Sequence, residues 1–584
     1  MNIKLKKLLL AGFAIICGLD VLGKETVIDL AGKILPETDI TEFVSGLMDS
    51  IPRKDVKIIF PEGRFYISPE FAGGKYLAIT NHDNGYKNIA FDIEGFSGLE
   101  IEGRNTEFVF KDFIMPFHVH DSEDIYFHGF SIDWKYPLYI QGEILRSSME
   151  EGYYDVKFHK AGYDWTFGKN GKINFPTSRP YSSVGESLVF DPATNAPAYG
   201  SQKFDIHRKG VDVKAEKLKD GTIRIRENLK AYPPVGSVIN FKGPNGENRY
   251  APAFHVIGSS GIHFKDIDIY HAPGMGILCE KTEDISLENI RVTVPEGSGR
   301  TVSTTADATH FCNCRGTVTM EDCLFENMLD DGTNVHGTYV EISEIIDEKS
   351  VRVRLGHPQQ AGFEFAGKGD EVYFLMAPEA EREMTGKISG IRQINEVYSV
   401  ITFESPVPSG LKTGDILENK TWNTSLFSIK DCTIRNNRAR NIVIKAPGKV
   451  IITGNRLSSM MTSVLMRDEI AFWYESGAVE DVLIKDNIFG DCVTGCSDYG
   501  VITISPRIKE PFTKAPWDRN IRIISNNFRT FDNILVQAYN VDGLVIKDNS
   551  YTKSGTYPAF NPDAKPIYTE NCKNVLIEDN EFPE

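Results

Sequence analysis

The feature that most limits how this chain can fold is a short strand-like motif that returns at a spacing with a floor. In the first half it reads Leu99-Glu-Ile-Glu-Gly, Ile125-Tyr-Phe-His-Gly-Phe, Ile262-His-Phe-Lys-Asp-Ile, Ile285-Ser-Leu-Glu-Asn-Ile and Val318-Thr-Met-Glu-Asp-Cys. In the second half it reads Phe427-Ser-Ile-Lys-Asp-Cys, Val450-Ile-Ile-Thr-Gly-Asn, Val482-Leu-Ile-Lys-Asp-Asn, Ile521-Arg-Ile-Ile-Ser-Asn, Leu544-Val-Ile-Lys-Asp-Asn and Val575-Leu-Ile-Glu-Asp-Asn. Apolar residues alternating with polar ones predict a half-buried strand, and the polar residue that ends each copy suits a tight turn. From Ile262 onward, the second gap set aside, successive copies are 23, 33, 23, 32, 39, 23 and 31 residues apart. A minimum of 23 with loop-sized additions predicts the coils of a parallel β-helix, in which each coil buries its apolar side chains only by stacking on the next. A β-sandwich would instead need strands about every 8–12 residues joined by hairpins. The recurrent Asn fits a left-handed turn position, from which its amide can bond to the neighbouring coil.

Two gaps interrupt the repeat, 137 residues between Ile125 and Ile262 and 109 between Val318 and Phe427. Both hold alternating strands with turn signals, such as Gly152-Tyr-Tyr-Asp-Val-Lys-Phe, Thr222-Ile-Arg-Ile-Arg, Val351-Arg-Val-Arg-Leu and Val397-Tyr-Ser-Val-Ile-Thr-Phe. They predict small antiparallel β domains inserted at 137–253 and 338–420, placed to wall an active groove or to mediate association. The β-helix then occupies 24–136, 254–337 and 421–584.

The start of the chain predicts export. Lys4, Lys6 and Lys7 precede an apolar run from Leu8 to Leu19 that is too short to span a bilayer, and Val21 and Gly23 suit cleavage after residue 23. Ile15-Ile16 before Cys17 is a poor context for lipid attachment, so a periplasmic or secreted protein is expected ahead of an anchored one. No later apolar stretch is long enough for a membrane span. The net charge of −17 becomes −19 once residues 1–23, with three Lys and one Asp, are removed. That balance argues against nucleic acid or an anionic membrane as partner and leaves a neutral or cationic small substrate open. With 41% hydrophobic and 25% charged residues, disordered, collagen-like and coiled-coil chains are excluded. Eight Cys follow the leader. Cys323 and Cys432 fall at inward strand positions, and Cys492 and Cys496 are spaced closely enough for a disulfide without requiring one.

One pair of segments carries the chemistry. Ala306-Asp307-Ala-Thr-His310 lies one repeat before Leu329-Asp330-Asp331-Gly-Thr-Asn-Val-His336-Gly, with Asp307 and Asp330 separated by 23 residues. Stacked strands lie about 4.7–4.9 Å apart, so Asp307 and Asp330 are expected to be neighbours on one face with Asp331 beside them. Asp-Asp-Gly alone usually marks a surface turn. Three crowded carboxylates, however, push their pKa values apart, which gives a glycosidase its protonated acid and its ionised base at one pH. Consecutive Asp residues on a strand face opposite ways, so both reach one groove only if the backbone turns, as Gly332 permits. Inversion asks for carboxyls about 6.5–9.5 Å apart, with about 5–5.5 Å for retention, and divergent side chains on adjacent coils can supply the wider gap. The expected roles are Asp330 as general acid, with Asp307 and Asp331 holding and deprotonating the water.

At these residues the chain resembles glycoside hydrolase family 110, exo-acting α-1,3-galactosidases that remove the blood group B determinant. Phe130-Ser-Ile-Asp133-Trp134 and His271-Ala-Pro-Gly-Met-Gly276 are also similar to that family. The resemblance covers most of the chain. It implies a right-handed parallel β-helix with two inserted β-barrel domains, inverting hydrolysis without a metal, and a catalytic trio carried onto Asp307, Asp330 and Asp331. The substrate it implies is a glycan ending in α-1,3-linked galactose, branched as in the B determinant or linear. Polygalacturonase-like enzymes of family 28 share three Asp and a His-Gly on a β-helix, but they grip anionic uronates, which the acidic balance disfavours. A non-catalytic β-helix that binds polysaccharide is the alternative from another class, and self-association stays open.

Around the trio, His310 and His336 are expected to hydrogen-bond the carboxylates or sugar hydroxyls. Trp473 can stack on the apolar face of galactose, Glu475 can take its hydroxyls, and Trp134 is a second stacking candidate. Packing beneath a long loop is the competing reading for both Trp residues. His310, Cys312, Cys314 and Cys323 do not follow a usual zinc spacing, so neither metal nor cofactor is expected. Phosphate-binding, zinc-protease and serine-hydrolase motifs do not occur.

Overall fold

The residue opening each motif lies level with the residue opening the next. Parallel pairing joins Leu99 to Ile125, Ile125 to Ile262, Ile262 to Ile285, Ile285 to Val318 and Val318 to Phe427. It continues through Val450, Val482, Ile521 and Leu544 to Val575. Both gaps are therefore closed in space, and the parallel β-helix is continuous across them. The structure, a computed structural model, describes residues 25–159, 165–169, 171–174, 177, 181–208, 213–512 and 517–582. The leader expected over 1–23 lies outside these residues.

Inward residues from successive coils form columns through one core. Phe91, Phe117 and Phe254 stack at 4.4 and 4.6 Å, and all three are fully buried. Each such ring contributes about 1.5–3 kcal/mol by leaving water. Ahead of the first motif copy, Thr26–Asp29 pairs with Lys54–Phe60, which pairs with Ser97–Phe110. The α-helix Thr41–Ser50 adds Val44, Leu47 and Met48 to the core of these first coils, the kind of cover a solenoid end requires.

The recurrent Asn has a different place from the one expected. In the later coils the left-handed residue is the one before it, at Gly454, Asp486, Ser525, Asp548 and Asp579. The Asn itself turns inward. Asn455, Asn487, Asn526, Asn549 and Asn580 form a ladder in which the backbone N–H of each donates to the next side-chain oxygen at 2.9–3.0 Å. Each Asn Nδ2 of the first four also donates along the column. In earlier coils Asn289 and Asn436 do hold left-handed turns.

The insertions are antiparallel. The first carries a seven-stranded sheet running from Ile140–Ser148 to Val238–Phe241. The second closes on itself: Thr333–Ile345 pairs with Ser350–Leu355 and Ile416–Asn419, and Glu371–Leu375, Thr385–Gln393 and Tyr398–Phe403 complete the ring. All eight cysteines among the described residues are free thiols, Cys492 and Cys496 included.

Candidate active site

The acidic residues sit where the second sheet of the helix breaks into bends. Thr309–Cys312 pairs with Thr333–Ile345 so that Thr309 faces Thr333 and His310 faces Asn334, an offset of 24 residues. Carried back two residues, this register sets Asp307 level with Asp331, not with Asp330 as the 23-residue spacing suggested. The backbone before Thr333 is not extended, and this lets Asp330 and Asp331 both reach the cavity. Gly332 is needed for a different reason from the one anticipated. Its φ is not positive, but a Cβ there would meet the Asn441 carbonyl oxygen and Ile434 at 2.5 Å, so it admits the close approach of the next coil.

Oxygens of Asp307, Asp330 and Asp331 lie within 4.8 Å of one another. Guanidinium groups supply the balancing charge. Arg249 Nη2 donates to Asp330 Oδ2 at 2.5 Å and Arg438 Nη1 to Asp330 Oδ1 at 3.3 Å. Arg440 donates to Asp331 twice, from its backbone N–H at 2.9 Å and from Nη2 at 2.8 Å. Arg438 is aimed in turn by Asp205 of the first insertion, at 2.8 Å. Among the described residues, Asp307 has no guanidinium within hydrogen-bond reach; its partner is His310 Nδ1 at 2.8 Å.

This asymmetry divides the protons. Burial lifts Asp307 and the Asp330 charge adds to it, taking the Asp307 carboxyl to about 8. Burial would raise Asp330 as well, but Arg438 and Arg249 outweigh it and hold that carboxyl well below its usual range. Burial raises Asp331 against the pull of Arg440. Asp330 is therefore ionised, and the expectation that it carries the acid's proton is corrected: two guanidiniums occupy its oxygens.

Hydrogen bonding assigns the same proton independently. His310 and His336 are buried, and burial lowers them to about 4 and about 3, so both are neutral near pH 7. His336 Nδ1 lies 2.6 Å from the Gly337 carbonyl, which can only accept, so Nδ1 carries the hydrogen and Nε2 is bare. His310 Nε2, 2.8 Å from His336 Nε2, must then donate, leaving His310 Nδ1 as an acceptor. The group facing that acceptor is Asp307 Oδ2, so the hydrogen between them belongs to Asp307. Asn81 Nδ2 lies 3.3 Å from His310 Nε2, where two donors would meet, so this tautomer requires the Asn81 amide to be turned with its oxygen toward the ring.

The carboxylates open into a cavity of about 240 Å³. This is just under the roughly 300–1,000 Å³ of pockets for drug-sized ligands, so it suits one sugar ring. Asp307, His310, Asp330, Asp331, Trp473 and Glu475 line it. His336 stands behind His310 rather than on the wall, and Glu475 is paired with Lys445. Trp134 is not at the site. It is 1% exposed, tilts against Phe110 at 5.2 Å, and donates its indole N–H to the Asp112 carbonyl, so its apolar bulk serves the core. Sequence reasoning missed Arg249, Arg438, Arg440, Asn334 and Arg467. Asn334 Oδ1 and Arg440 Nε are buried with no partner among the described residues, and both residues line the cavity, ready for sugar hydroxyls. Among the described residues, His310, Cys312, Cys314 and Cys323 do not converge as ligands; Cys312 Sγ faces Thr338 and Cys314 Sγ donates to the Cys279 carbonyl.

Known proteins share this architecture. Two family models match the insertions, GLAA-B beta-barrel domain I over residues 140–239 and GLAA-B beta-barrel domain II over 350–417. Alpha-1,3-galactosidase A of Shewanella woodyi is 32% identical over 526 residues, covering 90% of this chain and 85% of the relative. Alpha-1,3-galactosidase B of Phocaeicola vulgatus is 30% identical over 552 residues, 90% and 89% of the two chains. Alpha-1,3-galactosidase B of Bacteroides thetaiotaomicron is 28% identical over 535 residues, 90% and 85%. With similarity of this extent running through the coils and both insertions, the chain belongs to the family of the α-1,3-galactosidases A and B, glycoside hydrolase family 110.

Proposed function

We infer that this protein is an exo-acting glycosidase that removes terminal α-1,3-linked galactose from glycans, of the blood group B type and of the linear Galα1-3Gal type, with inversion at the anomeric carbon. The observation that carries the reading is one protonated carboxyl, Asp307, beside one ionised carboxylate, Asp330, in a cavity for a single ring. Asp307 gives its proton to the glycosidic oxygen as the bond from C1 to that oxygen breaks. Asp330 takes the proton of a water that Asp331 helps to orient, as the water oxygen bonds to C1 from the opposite face. The closest oxygens, within 4.8 Å, do not keep the gap of about 6.5–9.5 Å usual for inversion, so the case for inversion rests on the family and needs the anomer experiment.

The ion pairing also favours a neutral sugar. Of the cavity's Arg and Lys residues, Arg249, Arg438, Arg440, Lys445 and Arg507 each already face an Asp or Glu, and Arg467, held by Ser505, is left as the cation for a uronate among the described residues. These local pairs bear on the choice more directly than the net charge of the whole chain does. The basic and apolar start of the chain supports export as the accompanying proposal.

Proton NMR during hydrolysis of Galα1-3Gal tests the reading. Galactose is expected to be released, with the β-anomer appearing first. The α-anomer first would mean retention, and no release from linear or branched substrate would remove the galactosidase assignment.

A further inference from the structure

The cavity wall continues outward as an aromatic surface that takes no part in the proton transfers. Trp473 lines the cavity, with its ring 4.3 Å from His357 and 5.1 Å from Phe472. Phe472 and His357 are themselves 5.0 Å apart, and Phe472 is 54% exposed. A phenyl ring left this open forgoes the gain of burial.

The loop that presents it is pinned. Glu469 Oε1 accepts from the backbone N–H of Trp473 at 3.1 Å, and Gln360 Nε2 donates to the Trp473 carbonyl at 2.9 Å. Tyr474, at φ +54°, packs over Gly356 so closely that a Cβ there would lie 2.1 Å from its ring. Gly356, His357 and Gln360 all belong to the second insertion. That barrel therefore clamps the loop from behind while leaving its aromatic tip in solvent, a rigid support of the kind a recognition site requires.

We propose that Phe472, His357 and the outer edge of Trp473 form a subsite for the second sugar of the substrate, the ring that departs with the glycosidic oxygen. The occupant is a neutral pyranose, whose C–H face packs on aromatic rings. Continuity selects this occupant over an unrelated partner: Trp473 is shared between cavity and platform, so a ring bonded to the galactose in the cavity emerges beside it. The second insertion thereby acts on aglycone choice, and the proposal rests on the galactosidase reading.

The test compares kcat/KM for Galα1-3Gal with kcat/KM for α-galactosyl fluoride, whose leaving group has no ring. In Phe472→Ala the disaccharide-to-fluoride ratio is expected to fall about five- to tenfold, in His357→Ala by less, and in Phe472→Trp to recover. An unchanged ratio in Phe472→Ala, with both substrates equally affected or unaffected, overturns the platform. Should Phe472→Ala fail to fold, Phe472→Leu gives the same comparison with more of the side-chain volume kept. Absence of hydrolysis of both substrates by the unaltered protein would instead strike the reading on which the platform rests.

Discussion

Two columns of polar side chains run along this β-helix, and they are satisfied in opposite ways. In the C-terminal coils Asn455, Asn487, Asn526, Asn549 and Asn580 stack as neutral amides, each both donor and acceptor, so the column closes on itself. In the coils that line the cavity Asp307 and Asp331 stack in register with Asp330 beside them, and stacking alone would leave like charges buried together. That column is completed from outside by Arg249, Arg438 and Arg440, while burial favours the protonated forms of Asp307 and Asp331. The same geometry that makes a structural spine from an amide thus makes a reactive cluster from a carboxylate, because an amide carries its own counter-partner and a carboxylate must be supplied with one.

The largest effect expected from disturbing this contrast comes from removing a counter-charge. Arg440→Leu strips Asp331 of its guanidinium, and denaturant unfolding at pH 7 should show a loss of about 3–5 kcal/mol. Breaking the amide spine is milder. Asn526→Ala leaves its neighbours Asn487 and Asn549 short of partners and should cost about 1–3 kcal/mol in the same assay.

The third substitution should move stability the other way. Asp307→Asn keeps a donor toward His310 and no longer needs a lifted proton, so it is expected to stabilise by about 1–2 kcal/mol at pH 7. The sign follows from the raised carboxyl. Its contribution in the unaltered protein is fully present below about pH 4 and lost as pH rises through about 8. The advantage of Asn should therefore grow between those limits, and a gain confined to acid pH would contradict it.

The smallest effect tests the histidine pair. His336→Leu removes the acceptor for His310 Nε2–H, freeing His310 to place its hydrogen on Nδ1 and donate to an ionised Asp307. The alkaline limb of kcat/KM, expected near pH 8, should move down by about one unit, equal to about 1.4 kcal/mol. His336→Asn, which retains an acceptor, should restore it. A uniform loss of activity without movement of the limb would mean that His336 merely fills space.

The helix was legible because its signal is arithmetic: a strand period of two and a coil floor of 23 residues survive any loop sequence. The first coils fall within the expected 24–136 without a copy of the motif, because Thr26-Val-Ile-Asp29 is too short to alternate and Val56 to Phe60 runs into Pro61 without a polar ending. Within the site, Asp307, Asp330 and Asp331 announced themselves by one-coil spacing, yet their charge states did not. Those depend on Arg249, near the end of the first insertion, and on Arg438 and Arg440, which lie beyond the second, so no local pattern links them to the Asp they hold. Arg438-Ala-Arg440 sits one coil after Asp330-Asp331 once the inserted barrel is set aside, and that offset was the available signal. Trp134 misled for the converse reason: an aromatic beside an Asp looks alike in sequence whether it faces a cavity or the core.

The central claim is that Asp307, not Asp330, holds the proton delivered to the leaving oxygen. Comparing Asp307→Asn with Asp330→Asn on two leaving groups tests it most directly, since fluoride departs from α-galactosyl fluoride with far less need of a proton than a sugar oxygen has. Asp307→Asn should lose about 10³-fold or more in kcat/KM on Galα1-3Gal while staying within about tenfold on the fluoride, and Asp330→Asn should lose heavily on both. If Asp330→Asn spares the fluoride and Asp307→Asn abolishes both, the acid is Asp330 and the proton does not sit on Asp307.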